Sequence, residues 1–160
     1  MVDFTVTPIG RVSSPRDEAI DDDWGQVEAT ITLDGALLAP DATAGLGEFS
    51  HVEVVFVFDR VDDAAVQTGA RHPRSNPGWP AVGILAQRAK MRPNRLGVSI
   101  CQLLAVDGLV LHVRGLDAID GSPVLDVKPV MAEFGPRGPV HQPAWSSELM
   151  STYWERGQTS

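Results

Sequence analysis

Two stretches of the chain hold charged side chains at spacings suited to recognising other charged groups. In residues 83–99, Arg88, Lys90, Arg92 and Arg95 fall between two strand-like segments. Arg92-Pro93-Asn94 reads as a stiff turn: Pro93 fixes its own φ, biases Arg92 toward extended geometry, and Asn94 tolerates unusual backbone angles. A guanidinium aimed from such a turn loses little entropy on meeting a phosphate or carboxylate. In residues 117–129, Asp117, Asp120, Asp126 and Lys128 lie within a turn and the strand after it. Asp126 and Lys128 are two apart and share a strand face, as either a structural ion pair or a functional one. Other familiar sites are missing. Gly45-Leu46-Gly47 precedes a strand, so it is no Rossmann phosphate loop, and no P-loop pattern exists. His51, His72, His112 and His141 are scattered, and one cysteine cannot build a structural zinc site, so no metal is expected. Ser50-His51 with Asp59 lacks the elbow of a hydrolase.

Charge is unevenly spread along the chain. The net charge of −8 argues at first against a nucleic-acid partner. Residues 1–63 carry −11 and residues 107–160 carry −3, whereas residues 64–106 contain no acid and carry +6, from Arg71, Arg74, Arg88, Lys90, Arg92 and Arg95. A basic segment inside an acidic chain reads as a local anion site, or as a solvated loop balancing its neighbours.

The 160 residues, 43% apolar and 21% charged, suit one globular domain with its own core. Cys101 alone cannot form an internal disulfide and suits a reducing compartment. Met1 to Val12 lacks the basic leader and apolar run of a signal peptide, and no stretch approaches the roughly 20 apolar residues of a membrane span. A soluble, cytoplasmic protein without a membrane partner is therefore expected.

The elements that must position these residues are mainly strands. Period-two patterning predicts strands over residues 4–12, 27–33, 51–58, 98–106, 109–114 and 123–130, with Pro8 marking an edge or bulge. Asp107-Gly108 predicts a type I′ hairpin turn. Six or more short strands with tight turns predict a mainly β fold, a closed or nearly closed small barrel with a few short helices. A short helical turn broken by Pro40 is expected within 36–46. A helix is expected over 146–154, capped by Ser146, with Leu149, Met150, Tyr153 and Trp154 on one face. Trp145 and Trp154, with Leu149 and Met150, would cover a dimer surface or close the barrel. Residues 68–80 read as a long functional loop. Cys101, in a strand without a neighbouring base, reads as core.

Four motifs in order resemble one family. I-G-x-V-x-S-P spans Ile9 to Pro15, and F-S-H-x-x-V-x-F-x-F spans Phe49 to Phe58. A-x-R-x-x-x-R-P-N-x-x-G-x-S spans Ala86 to Ser99, and L-D-x-x-D-G-S-P-V-x-D-V-K-P spans Leu116 to Pro129. They are similar to the TsaA-like (TrmO) family over roughly residues 4–130, leaving 131–160 as a C-terminal extension with a short helix. The resemblance implies a non-Rossmann β-barrel methyltransferase, usually dimeric. Such an enzyme binds S-adenosylmethionine and methylates N6 of threonylcarbamoyladenosine at position 37, in the tRNA anticodon loop. By motif position it implies cofactor contacts from Asp59, Arg60, Arg88, Ser99, Asp120, Gly121, Ser122 and Pro123. The basic loop, Arg71, Arg74, Trp79, Lys90, Arg92 and Arg95, would meet substrate phosphates, with Trp79 stacking on a base or plugging the barrel. Arg92, Asn94, Asp126 and Lys128 are the candidates for catalytic roles. Carboxylates suit the amino-acid and ribose parts of a sulfonium cofactor, an arginine suits its carboxylate, and methyl transfer itself needs mainly positioning.

The chain departs from the family pattern in places. Residues 85–97 lack the usual Thr-Arg-Ser-Pro run, Val130 stands for a tyrosine, Asp21–Trp24 replace a Pro-Arg-Gln segment, and Asp59-Arg60 replace His-Gln. The additional C-terminal domain of longer bacterial members is not expected. Two other readings stay open beside the tRNA enzyme. One is a methyltransferase of the same fold acting on a small molecule or another nucleoside; the other is a non-catalytic S-adenosylmethionine-binding protein.

Overall fold

The computed structural model describes residues 1–154. Its strands are β1 (Gly10–Ser13), β2 (Glu28–Leu33), β3 (His51–Val57), β4 (Ala70–Arg71), β5 (Val82–Gly83), β6 (Leu96–Asp107), β7 (Val110–Arg114) and β8 (Pro123–Pro129). A short helix, α1 (Ala144–Leu149), follows. Six strands close into a barrel in the order β1-β2-β7-β6-β3-β8, every ladder antiparallel, while β4 and β5 pair separately.

Closure follows from the alternation. Alternate residues of the barrel strands face inward and are mostly apolar: Val12, Ile31, Leu33, Val52, Val54, Phe56, Cys101, Leu103, Leu111 and Val113 belong to one core. Val124 joins them from β8, and Leu116 and Ala118 enter from the β7–β8 connection. Burying such an aliphatic side chain contributes about 1.5–3 kcal/mol, and a closed sheet exposes no edge to a stray strand. Register shifts between Val55 and Phe56 on β3 and between Leu103 and Ala105 on β6 bend the wall. Gly97 lies flat against the Phe56 ring, where a Cβ would come within 2.5 Å of Cζ.

The antiparallel registers fix which loops meet. Ser13 pairs with Thr30, Glu28 with Arg114, Arg11 with Pro123, and Val57 with Leu96. The β1–β2 connection, the long β3–β6 excursion and the β7–β8 connection therefore leave the barrel at the same end, called the mouth below. The β6–β7 hairpin and the β2–β3 connection close the other end.

Several element boundaries differ from those the pattern predicts. Of residues 4–12 only the end pairs in a ladder: Phe4 and Val6 stay 91% and 64% exposed, because no strand lies beside them. Residues 36–46 form turns and no α-helix, with a single 3-10 turn at Leu46–Glu48 beyond Pro40. The hairpin loop is Gly108-Leu109 between the paired Asp107 and Val110, and of these two only Gly108 has a positive φ, +56°. That is the pattern of a type II′ turn, not type I′. The last helix starts at Ala144 and ends at Leu149; the Ser146 hydroxyl donates to the Pro143 carbonyl at 2.7 Å instead of capping. The loop expected over 68–80 contains β4, which pairs with β5. Cys101 is core, as expected.

Candidate functional site

The β7–β8 turn is the best-anchored part of the mouth. Gly121 takes φ +81°, a conformation that side chains resist, and its N–H donates to Val12 at 2.8 Å. The buried Ser122 hydroxyl donates to Ile119 at 2.7 Å. Asp120 accepts from the Ser14 N–H at 3.0 Å, and its own N–H donates to Arg16 at 2.7 Å. Arg60 spans the gap between loops, donating to the carbonyls of Asp17 at 2.6 Å and Asp120 at 3.0 Å. Asp59 beside it is exposed. The set Asp59, Arg60, Asp120, Gly121, Ser122 and Pro123 is thus gathered at the mouth.

Ser99 points inward from β6, 8% exposed, and donates its hydroxyl to Asp117 Oδ1. The other oxygen, Oδ2, accepts from the Tyr153 hydroxyl. Burial first, and then the Asp117 charge, push the Tyr153 phenol well above its ordinary value, while Arg88 and Arg74 pull the other way. Arg88 itself donates to the Val98 carbonyl at 2.5 Å. A carboxylate, two hydroxyls and a guanidinium therefore stand together where β6 enters the mouth. Asp117 lies inside a motif already quoted but carried no assigned role, and no pattern in the sequence links Tyr153 to it.

The β3–β6 excursion arches over this cluster and is pinned by its own cations. Arg92 donates to Gln87 and Arg95 to Val61, each at 2.5 Å, and Arg95 also pairs with Asp63 at 3.1 Å. Buried Gln87 ties the carbonyls of Arg71 and Val82 at 3.0 and 2.9 Å. The Arg92-Pro93-Asn94 turn has the unusual backbone its sequence suggests: Asn94 has φ +63° and Arg95 φ +51°. Arg74 binds both oxygens of Asp22, at 2.9 and 3.4 Å, so the acidic run and the basic loop meet directly. Arg71 approaches the Met91 sulfur at 3.7 Å, and Lys90 makes no hydrogen bond or ion pair among the described residues. Trp79 is half-buried and takes no part in the barrel core; its indole N–H donates to Glu148 of α1 at 2.9 Å. The replaced segment is also well packed. Trp24 is 2% exposed and bonded to Ile20, and Arg16 stacks on it at 4.6 Å while donating to the carbonyls of Asp22 and Asp23.

Asp126 and Lys128 are not brought to the cluster. They form an ion pair of 2.7 Å on the outer wall of β8, half-exposed or more, where Asp126 and Glu53 hold the Lys128 pKa above its ordinary value. An open cleft of about 340 Å³ flanks the mouth, lined by Ser13, Ser14, Glu28, Thr30, His112 and Asp120. Among the described residues no group of three or more His, Cys, Asp or Glu could hold a metal, and no helix is long and apolar enough to cross a membrane.

A family model of the tRNA-methyltransferase O N-terminal domain matches residues 11–135, which take in all of the barrel but Gly10 and all three mouth connections. The chain belongs to the tRNA-methyltransferase O family. Its relatives include the Escherichia coli tRNA (adenine(37)-N6)-methyltransferase, 34% identical over 141 residues, covering 82% of this chain and 59% of that one. A probable S-adenosyl-L-methionine-binding protein of Methanothermobacter thermautotrophicus is 33% identical, covering 80% and 90%. The crystal structure of TrmO from Pseudomonas aeruginosa superposes with a TM-score of 0.71 at 28% identity, over 88% of this chain and 61% of that one. This chain thus spans only part of several members of the tRNA-methyltransferase O family, including 20% of the mouse tRNA (adenine(37)-N6)-methyltransferase. Residues 144–154, which supply Glu148 and Tyr153, lie outside the matched segment.

Proposed function

We propose that the chain is an S-adenosylmethionine-dependent methyltransferase acting on tRNA, transferring a methyl group to N6 of threonylcarbamoyladenosine at position 37. The observation that carries this reading is the convergence of three motif-bearing connections, with Arg60, Arg88, Ser99, Asp117 and Asp120, on one barrel mouth of a tRNA-methyltransferase O domain. The donor set fits the cofactor. Arg88 would take its carboxylate, and Asp117 and Asp120 would face its ammonium and ribose hydroxyls. When bound, the cofactor supplies an electrophilic methyl group on a sulfonium. The chain's own residues orient the acceptor and exclude water; the Arg92–Asn94 turn shapes the entrance, and Arg71 and Lys90 face phosphates. Positioning of this kind is the main requirement of a displacement that needs little acid–base help.

A homodimer belongs to the same proposal. The outward row Leu96, Val98, Ile100 and Leu104 on β6 is 38–52% exposed, an apolar strip separated by β3 from the Asp126–Lys128 pair of β8. A second copy seated there would shield it and bring Asp126 and Lys128 against the partner. The chain, residues 1–160, would act as one barrel domain, and a tRNA substrate would put it in the cytoplasm.

One observation favours the same chemistry on a smaller acceptor. Arg74 and Arg95 of the basic loop are already paired with carboxylates, which leaves less charge for a polyphosphate. Calorimetric titration with S-adenosylmethionine, with an Arg88→Ala variant beside it, tests the cofactor site. Binding in the micromolar range, about −8 kcal/mol, that the variant loses supports the reading. Methyl transfer to threonylcarbamoylated tRNA but not to the free nucleoside then selects the tRNA acceptor. A folded wild-type protein that binds no S-adenosylmethionine overturns the reading.

A further inference from the structure

The C-terminal segment is built into the mouth by contacts of several kinds. The N–H groups of Asp23, Trp24 and Gly25 donate to the carbonyls of Thr152, Tyr153 and Trp154, the first two at 3.1 and 2.9 Å. This ties residues 152–154 to the β1–β2 connection, although neither segment is a strand. The Tyr153 and Trp154 rings meet edge to face at 4.9 Å. One turn earlier, Glu148 accepts from Trp79 of the β3–β6 excursion at 2.9 Å. The segment therefore touches all three mouth connections: the first through its backbone, the second through Glu148, and the third through the Tyr153–Asp117 bond.

The last contact bears on chemistry. A carboxylate at the edge of a site can rotate and drift, and each alternative orientation weakens a ligand that needs one of them. Asp117 has no such freedom: Ser99 holds one oxygen and Tyr153 the other. Each hydroxyl uses its single proton on Asp117, so both carboxylate oxygens keep a lone pair for a third group. Because Ser99 is fixed by β6 and Tyr153 by the backbone bonds of residues 152–154 to residues 23–25, the carboxylate is held between two separate parts of the fold.

We propose that Tyr153 is a positioning residue: through its hydroxyl it fixes the Asp117 carboxylate that receives the cationic part of the cofactor, so the site is complete only with residues 144–154 in place. The inference rests on the methyltransferase reading and deepens it, by adding to the site a segment outside the matched domain. Tyr153→Phe keeps the ring and its packing and removes only the hydroxyl.

The test is calorimetric titration of the full chain with S-adenosylmethionine for wild type, Tyr153→Phe, Asp117→Asn and the double variant, with thermal melts of each. Tyr153→Phe should weaken binding about tenfold, the scale of one lost hydrogen bond to a charged group. It should weaken it no further in the Asp117→Asn background, since the hydroxyl acts only through that carboxylate. Equal losses in both backgrounds, or a lowered melting temperature with unchanged binding, would show a purely structural tyrosine and overturn the inference alone. Wild-type protein that binds no S-adenosylmethionine would instead remove the methyltransferase reading and the inference with it.

Discussion

If the chain acts on tRNA as proposed, the salt dependence of binding can be worked out from the pairing of the basic loop. Residues 64–106 carry six cations and no acid, and if all six faced phosphates the affinity would depend steeply on ionic strength. Arg74 and Arg95 are neutralised by Asp22 and Asp63. Arg88 and Arg92 bond to backbone carbonyls and keep their charge, and Arg71 and Lys90 have no acidic partner among the described residues. Two to four phosphate contacts are therefore available from this loop. At about 0.7 per phosphate for a single strand, the slope of log K against log salt should lie between about −1.4 and −2.8. Raising salt from roughly 50 to 200 mM would then weaken binding by about 7- to 50-fold, against more than about 300-fold for six contacts. Fluorescence anisotropy of a labelled anticodon stem-loop across that range measures it. A slope of about −4 or steeper would refute the reasoning, because it requires Arg74 and Arg95 to leave their carboxylates.

Three further outcomes follow from the same structure. Asp22→Ala should release Arg74 and steepen the slope by about 0.7, read in the same anisotropy series. Gly97→Ala drives a Cβ into the Phe56 ring, with 2.5 Å to Cζ and 2.7 Å to Cε2, and should lower unfolding free energy in urea by about 1–3 kcal/mol. Burial, aided by the Asp117 charge, pushes the Cys101 thiol up from 9.0 to about 12. The unfolded chain releases this proton first, so its stability contribution is complete below pH 9 and lost as pH rises toward 12; melts of wild type and Cys101→Ala should converge across that window, and the native thiol should resist alkylation at pH 8.

The barrel strands were readable because they obey a local rule. In β3, Val52, Val54 and Phe56 alternate with Glu53, Val55 and Val57, and burial on one face sets the register, since a slip of one residue would turn the whole set outward. The same rule moved the hairpin turn. With Leu111 and Val113 required inside, Asp107 must pair with Val110, so the loop falls on Gly108-Leu109 although Asp107-Gly108 is the stronger dipeptide signal. Where the rule found alternation without a neighbour it over-read, as at Phe4 and Val6. Tyr153 shows the opposite limit. Its partner is 36 residues away, across β8 and a stretch of turns, and nothing local marks either residue as half of a pair.

The candidate site was legible in proportion to how much of each motif holds the backbone. In Leu116–Pro123, Leu116 fills the core, Gly121 supplies the positive φ of the turn, Ser122 ties that turn to Ile119, and Asp120 anchors the β1–β2 connection. These tasks account for most of the motif without any ligand, so the pattern alone speaks first for a turn and only second for a site. Asp117 is different. Its two bonds come from side chains on separate elements, and it supports no turn or ladder of its own. Asp117→Asn keeps the shape of the side chain and an acceptor oxygen while removing the charge, so it is the substitution that should separate binding from stability most clearly.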